Sequence, residues 1–298
     1  MHYDTIIVGG SFAGLSAAMY LARARRSVLV LDTGKPRNRF AKESHGFFAQ
    51  DGSSPLAMLE TMRRQVGAYP TVRFFDRMAT DAVHGDGGFR VTLNDGEAVL
   101  GSTVLLAFGV SDVLPDLEGV AQRWGGTVIH CPYCHGYEFS GQRLGVLNLS
   151  KISGHQATLI TEWGPTTFFL DGGTLDPELR AELKRRGAEI EPRPVARLVG
   201  QGVDLSGVQL QDGTVAPIDA LFIGPAYRFN SGLPKVLGCA VEDGPLGPTL
   251  TVNDMKATTV SGVYAAGDIT RGGHTVAFAS ADGVMAALAI HRSLAFGV

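Results

Sequence analysis

A short apolar strand that runs straight into glycines is the feature that most narrows what this chain can fold into. Thr5-Ile6-Ile7-Val8 leads into Gly9-Gly10-Ser11-Phe12-Ala13-Gly14; Leu15 to Arg25 then reads as a helix with small residues on one side, and Val28 to Leu31 as a second strand closing on Asp32. Strand, tight turn, helix and strand in about thirty residues make a βαβ unit, which demands a parallel sheet with helices laid on it. The turn has the form G-x-S-x-x-G, with Gly9, Ser11 and Gly14 at the fingerprint positions. Small residues there let the backbone approach a pyrophosphate, whose charge is held by amides at the helix N-terminus. Asp32 lies about twenty residues on, where a carboxylate accepts a hydrogen bond from a ribose hydroxyl. The expectation is a dinucleotide site. The plain alternative is a tight βα turn with no ligand, Asp32 being an ordinary strand-end charge.

Much later in the chain a second motif suits the same ligand. Gly262-Val263-Tyr264-Ala265-Ala266-Gly267-Asp268 reads as a strand and a Gly-Asp turn, and His274-Thr275-Val276-Ala277 opens a last helix running from about Ala277 to Leu294. Asp268 is placed to bind a ribityl hydroxyl, and the amides at Thr275 and Val276 to stabilise negative charge on a reduced flavin ring. This motif moves the expected cofactor from NAD toward FAD. In between, Phe89 to Leu93, the Asn94-Asp95-Gly96 turn and Val99 to Leu106 alternate like an antiparallel hairpin. Beyond Pro115, strands at Leu144 to Leu149 and Thr167 to Leu170 flank a helix around Gln156 to Glu162, suggesting a second βαβ core. Asp176-Pro177 caps a further helix that stops at Gly187.

A net charge of -3 with no run of like charges argues against nucleic acid or an anionic membrane surface as partner. The start, Met1-His2-Tyr3-Asp4, runs into a strand without a basic region or cleavage site, and no stretch of about twenty apolar residues occurs, so a cytoplasmic protein is expected. Three cysteines are too few for a disulfide framework, and Cys239, standing alone, reads as an inert buried thiol.

The other two form Cys131-Pro132-Tyr133-Cys134, flanked by His130 and His135. In a reducing compartment C-x-x-C is more often catalytic or metal-binding than a staple. Thiolate is the nucleophile in exchange, and a helix start with imidazole neighbours lowers a thiol pKa, which makes His130 and His135 candidate bases. His45 and His274 are weaker candidates, read first as polar loop residues. The same four side chains also read as a metal knuckle, but a tetrahedral ion usually draws ligands from two separated elements, so no metal is expected. A flavin-bound redox sensor without turnover is a third reading.

Taken in order, Gly9 to Gly14, Asp32, Ala107-Phe108-Gly109, Cys131 to Cys134 and Gly262 to Asp268 resemble the thioredoxin-reductase family of flavoproteins over nearly the whole chain. The resemblance implies an α/β fold of two Rossmann-like dinucleotide-binding domains in three-layer ββα form. One is an FAD domain made of residues 1–112 and 228–298; the other is an inserted NAD(P)-type domain, 113–227, that carries the redox cysteines. It implies a homodimer, Cys134 against the flavin, Cys131 exchanging with an external thiol or disulfide, and His135 where the reductases commonly have an aspartate acid/base. The FAD contacts it implies are Gly9, Ser11, Phe12, Ala13, Gly14, Asp32, Gly109, Gly267, Asp268, Thr275 and Val276. Arg39, in Pro36-Arg37-Asn38-Arg39-Phe40, is placed either against the adenosine half of FAD or in a solvated loop.

The chain departs from the family at one point. An NADPH-using member carries a second glycine fingerprint after the cysteine pair and then a basic cluster for the 2'-phosphate. Here Gly145-Val146-Leu147-Asn148-Leu149-Ser150-Lys151-Ile152-Ser153-Gly154 admits no such fingerprint, and Phe168-Phe169-Leu170-Asp171-Gly172-Gly173 has no arginine pair. The inserted domain is expected to keep its scaffold and to have lost its nucleotide site. Two ways of moving electrons then remain. A small-molecule or thioredoxin-like dithiol reduces the cysteine pair and oxygen reoxidises FAD, which makes a dithiol oxidase. Alternatively ferredoxin, another donor, or NADPH in an unusual pose feeds a disulfide reductase.

Overall fold

The computed structural model describes residues 2–85 and 87–297. In chain order the elements are β1 (His2–Val8), α1 (Phe12–Arg23), β2 (Val28–Leu31), α2 (Pro55–Gly67), β3 (Val72–Phe75), β4 (Ala79–Gly85), β5 (Gly88–Leu93) and β6 (Ala98–Leu106). After β7 (Val110–Val113) come α3 (Val120–Arg123), β8 (Val128–Ile129), α4 (Pro132–His135), β9 (Leu144–Leu147), α5 (Ser153–Ile160), β10 (Thr166–Phe169) and α6 (Pro177–Arg185). Strands β11 (Glu189–Glu191), β12 (Val195–Gln201), β13 (Asp204–Leu210), β14 (Val215–Ala216), β15 (Ala220–Phe222) and β16 (Ala226–Phe229) follow. The chain closes with α7 (Leu233–Leu237), β17 (Val241–Asp243), β18 (Pro248–Leu250), β19 (Val263–Ala265) and α8 (Val276–Phe296). None of the described helices is long and apolar enough to cross a membrane.

Two compact units result: one of Met1–Arg39, Leu56–Ser111 and Tyr227–Val298, the other of Phe40–Pro55 and Asp112–Ala226. The segment 40–55, which the domain limits expected from sequence include in 1–112, therefore groups with the second unit. Each unit is a parallel sheet with helices on one face and an antiparallel meander on the other. In the first, the order is β3-β2-β1-β6, with β19 beside the end of β6 and the meander β6-β5-β4 continuing from its start. In the second, the parallel order is β11-β10-β9-β15-β8, and β12-β13-β14 form the meander.

Why the strands read as continuous apolar runs is clear from the packing. Ile6, Val8, Leu29 and Leu31 face one buried cluster, while Ile7, Val28 and Val30 face another that includes α1 and α8. A parallel strand covered on both faces cannot alternate with polar residues. The two helices on the second cluster approach closely: a Cβ added at Gly283 of α8 would lie 2.0 Å from the Ala13 carbonyl oxygen of α1. The small-residue face of α1, Ala13, Gly14, Ala17 and Ala18, is thus a contact surface.

The helix of the first βαβ unit starts at Phe12, three residues before the expected Leu15. Gly14 is therefore a helical residue; what makes it glycine is the lack of room, since a Cβ there would lie 1.8 Å from the Gly9 carbonyl oxygen. The helix expected around Gln156 begins at Ser153.

Candidate functional site

In the first unit the glycine turn is built by three backbones meeting. Gly9 N–H donates to Leu31 O at 2.8 Å and Ala107 N–H to Val8 O at 2.8 Å, which draws the ends of β1, β2 and β6 together. Gly9 takes φ +115°, and a Cβ on it would stand 2.2 Å from Ala107 O, so no other residue fits. Ser11 caps α1 in extended conformation with no side-chain hydrogen bond to the helix amides, and the first turn carries no acidic residue. The opening amides of α1, at Phe12, Ala13 and Gly14, thus have no side-chain acceptor. That arrangement suits a diphosphate, which supplies acceptor oxygens and negative charge at the positive end of the helix. Asp32 Oδ1 accepts from Gly10 N–H at 3.2 Å, and Oδ2 lies 3.6 Å from Arg63 Nη1. The carboxylate is therefore oriented by the turn itself, with its side chain 18% exposed.

The second motif comes to the same unit through β19, parallel to β6 at Val263↔Val104 and Ala265↔Leu106. Gly267 turns at φ +84°, and Asp268 begins a 3-10 turn that ends at Thr270. Sequence reasoning assigns Asp268 to a ribityl hydroxyl; in the structure its Oδ2 already accepts from Arg37 Nη1 at 3.2 Å. The same guanidinium nitrogen lies 2.5 Å from His274 Nδ1. A guanidinium only donates, so Nδ1 accepts and the imidazole carries its proton on Nε2, facing Arg271 O at 2.8 Å and Asp268 O at 3.1 Å. Burial holds His274 below the ordinary histidine range, with Asp268 opposing and Arg37 assisting. Both nitrogens are engaged, so His274 is a brace for Arg37 and not a free base. His274 is thus a polar loop residue, as expected, with a bracing contact to Arg37 that the sequence did not show. Thr275 caps α8, its hydroxyl accepting from Phe278 N–H at 3.0 Å, and Val276 is the first helical residue.

Arg37 is the residue that sequence reasoning passed over in favour of Arg39. Arg39 Nη1 donates to Pro36 O at 2.8 Å, bracing the segment locally, whereas Arg37 ties it to the second motif. The signal for Arg37 was the paired arginines themselves; choosing between them needs the fold. Gly109 turns at φ +66°, and Asn230 closes on it, its N–H toward Gly109 O at 3.3 Å and its side-chain amide toward Phe108 O at 3.1 Å.

In the second unit Cys131 and Cys134 form a disulfide with Cα atoms 5.3 Å apart. The spacing is set by α4, where Pro132 opens the helix and the amides of Cys134 and His135 both point at Cys131 O, at 3.3 and 3.2 Å. Tyr133 is 73% exposed with its ring edge-on to Trp163 at 5.7 Å. His130 lies over Trp124 with ring centroids 5.9 Å apart, and its carbonyl accepts from Gln156 Nε2 of α5 at 2.9 Å. His135 meets the ring of His45 at 6.1 Å. Burial lowers the His135 pKa, His45 pushes the same way, and Glu138 opposes. The imidazole is thereby kept neutral near neutral pH, the form a proton acceptor needs. Cys239 is buried in the first unit, which raises its thiol pKa and leaves it unreactive.

The turn between β9 and α5 is the counterpart of Gly9–Gly14, and it is filled from within. Ser153, fully buried, accepts from Leu149 N–H at 3.0 Å and Ser150 N–H at 3.1 Å through its hydroxyl. Two amides that a pyrophosphate would use already have a partner. A Cβ at Gly154 would meet Leu179 Cδ2 at 2.2 Å, so its smallness serves packing against α6. Asp171, at the strand end corresponding to Asp32, accepts instead from Val195 N–H at 2.7 Å.

Comparison with known proteins follows the same lines. The profile of the pyridine nucleotide-disulphide oxidoreductases matches residues 3–283. A thioredoxin reductase, sirT, of Leptosphaeria maculans is 32% identical over 306 residues, covering 95% of this chain and 92% of its own. Another, tcpT of Claviceps purpurea, is 31% identical over 283 residues, covering 89% of this chain and 86% of its own. Among solved structures, an oxidoreductase from Agrobacterium tumefaciens is 42% identical with a TM-score of 0.95 and 100% coverage of both chains.

Proposed function

Because the chain belongs to the pyridine nucleotide-disulphide oxidoreductase family and is an FAD-dependent disulfide oxidoreductase, we propose that it works as a dithiol oxidase that does not draw on NADPH. The observation that carries this reading is the β9–α5 turn, whose Leu149 and Ser150 amides are satisfied by Ser153 and so offer a pyrophosphate nothing to replace.

In this reading one thiolate of a small-molecule dithiol attacks Cys131 Sγ. The Cys131–Cys134 bond breaks and its electron pair goes to Cys134 Sγ. The second substrate sulfur then attacks the first, the mixed disulfide breaks, and Cys131 leaves as thiolate while the product leaves as a disulfide. Two protons have left the substrate, and neutral His135 is the group that takes them, with His130 behind it. When bound, FAD would supply a two-electron sink for the cysteine pair, with oxygen as the final acceptor in this reading and hydrogen peroxide as its product. In the chain's own terms, the amides of Phe12, Ala13 and Gly14 hold the pyrophosphate, Asp32 the ribose, and the Arg37–Asp268 pair with the opening of α8 at Thr275 and Val276 the flavin half. Gly9, Ser11, Gly109 and Gly267 give the backbone its close approach, and Arg39 supports the adenosine side. We place the protein in the cytoplasm as a homodimer.

A reductase of a thioredoxin-like disulfide, fed by ferredoxin or another donor, is the second reading; that both fungal relatives are called thioredoxin reductases favours its disulfide substrate. One anaerobic titration separates the readings. NADPH and then NADH are expected to leave the flavin absorbance unchanged; dithiothreitol bleaches it, and peroxide appears on aeration. Prompt bleaching by NADPH overturns the proposal. Cys134→Ser is expected to keep FAD and to lose bleaching by dithiol.

A further inference from the structure

His45 belongs to the segment 40–55 that groups with the redox unit, at the base of a loop closed by Ser44 N–H to Ser53 O at 2.9 Å and Gly46 N–H to Asp51 Oδ1 at 2.9 Å. Its side chain is 17% exposed, and carboxylates approach both ring nitrogens: Asp51 at 3.5 Å from Nδ1, with Glu138 at 3.5 Å and Glu43 at 3.8 Å from Nε2. On its remaining side stands the ring of His135, perpendicular at 6.1 Å between centroids. The carboxylates grow steadily more open to solvent, Glu138 at 37%, Glu43 at 47% and Asp51 at 72%. Titratable side chains thus stand side by side from the residue beside Cys134 to carboxylates open to water, with His135 and His45 in ring contact.

We propose that His45 is a positioning residue of the thiol-disulfide step, acting through His135: with Glu138 it sets the electric field at the base, and with Glu43 and Asp51 it carries the protons of the substrate thiols out to solvent. This rests on His135 being the base. Such a path suits the half-reaction, since closing each substrate disulfide frees two protons beside a half-buried imidazole that can hold only one more at a time, and the same number is taken up again when oxygen becomes hydrogen peroxide. His45 is in ring contact with His135, and His130 lies against the ring of Trp124.

His45 lowers the His135 pKa and Glu138 raises it. Removing His45 lets the His135 pKa rise, so the deprotonated base is present only at higher pH. Removing the Glu138 charge lets it fall.

The test is the pH profile of flavin bleaching by dithiothreitol, measured anaerobically by stopped flow on the holoprotein. His45→Asn is expected to move the acid limb up by about half a pH unit or more and Glu138→Gln to move it down, each with the flavin spectrum unchanged. His45→Gln serves as the second variant if the asparagine protein fails to hold FAD. Loss of rate in all variants with the limb fixed at its wild-type pH would show a merely structural role and overturn the proposal. His135→Asn separates the levels: if it abolishes the limb while both His45 variants leave it in place, the assignment of His45 fails and the base stands. If His135→Asn leaves the limb in place, the assignment of the base itself fails.

Discussion

The β1–α1 turn and the β9–α5 turn occupy the same place in their sheets, and they differ in what their amides bind. Around Gly9–Gly14 the strand ends are pinned by backbone hydrogen bonds, and Ser11 gives its hydroxyl to no helix amide. Around Asn148–Gly154 one buried hydroxyl, Ser153, caps Leu149 and Ser150 at once. The acidic residues follow suit: Asp32 turns toward Gly10 of its own turn, and Asp171 toward Val195 of the neighbouring meander. A Rossmann scaffold can thus satisfy the amides of such a turn from within, when a side chain of the turn takes the hydrogen bonds a ligand would otherwise make. An unsatisfied buried amide costs about 1–3 kcal/mol, so an internal acceptor stabilises the turn by about that much.

The sharpest way to break this comparison is to close the first turn. Gly14→Ala adds a Cβ 1.8 Å from Gly9 O, against backbone that cannot swing away. The gain in helix propensity of about 1 kcal/mol is outweighed by an overlap costing about 3 kcal/mol or more. The expected protein is colourless or insoluble, read as flavin absorbance per mole of chain. Next comes Arg37→Met, which removes the charge-assisted bonds to Asp268 and His274. FAD affinity is expected to fall about tenfold to a hundredfold by fluorescence titration. Acid should do part of the same work in the unaltered protein. His274 has a lowered pKa in the fold, so the unfolded chain binds its proton first as pH falls through the ordinary histidine range, and stability drops from there downward. In Arg37→Met that acid sensitivity should shrink. The smallest effect belongs to the second turn: Ser153→Ala leaves two amides without an acceptor and should cost about 1–3 kcal/mol, seen as a thermal midpoint lower by several degrees, with FAD content and bleaching by dithiol unchanged.

Local signals were legible wherever the determining contacts are near in sequence. The β1-α1-β2 unit, the β5-β6 hairpin and the helix opened by Asp176-Pro177 follow from apolar runs, an Asp-Gly turn and a side-chain cap to Glu178 and Leu179. Strand β4 was hidden, because its register slips between Ala79 and Asp81 and breaks the alternation that would announce it. Helix starts were misread by three residues for one reason: Gly14 and Gly154 look like turn glycines but are helical positions kept small by a distant neighbour. In the candidate site, the glycine turn and the cysteine pair were visible as motifs. The choice of Arg37 over Arg39 and the bracing role of His274 were not, since each depends on a partner more than two hundred residues away, with separations of 231 and 237. The grouping of 40–55 with the redox unit is of the same kind, resting on contacts such as Phe40 against Gly125 and His45 against Glu138.

By itself the sequence determined the chemistry on offer: a backbone turn small enough for a diphosphate, a pair of sulfurs three residues apart, and imidazoles beside them. These are properties of side-chain size and type within one turn of chain, where spacing alone fixes geometry. Tertiary structure alone decided which of those groups is engaged. Whether an amide, a carboxylate or an imidazole nitrogen is available depends on the atom opposite it, and in a parallel sheet that atom arrives by a crossover from far along the chain.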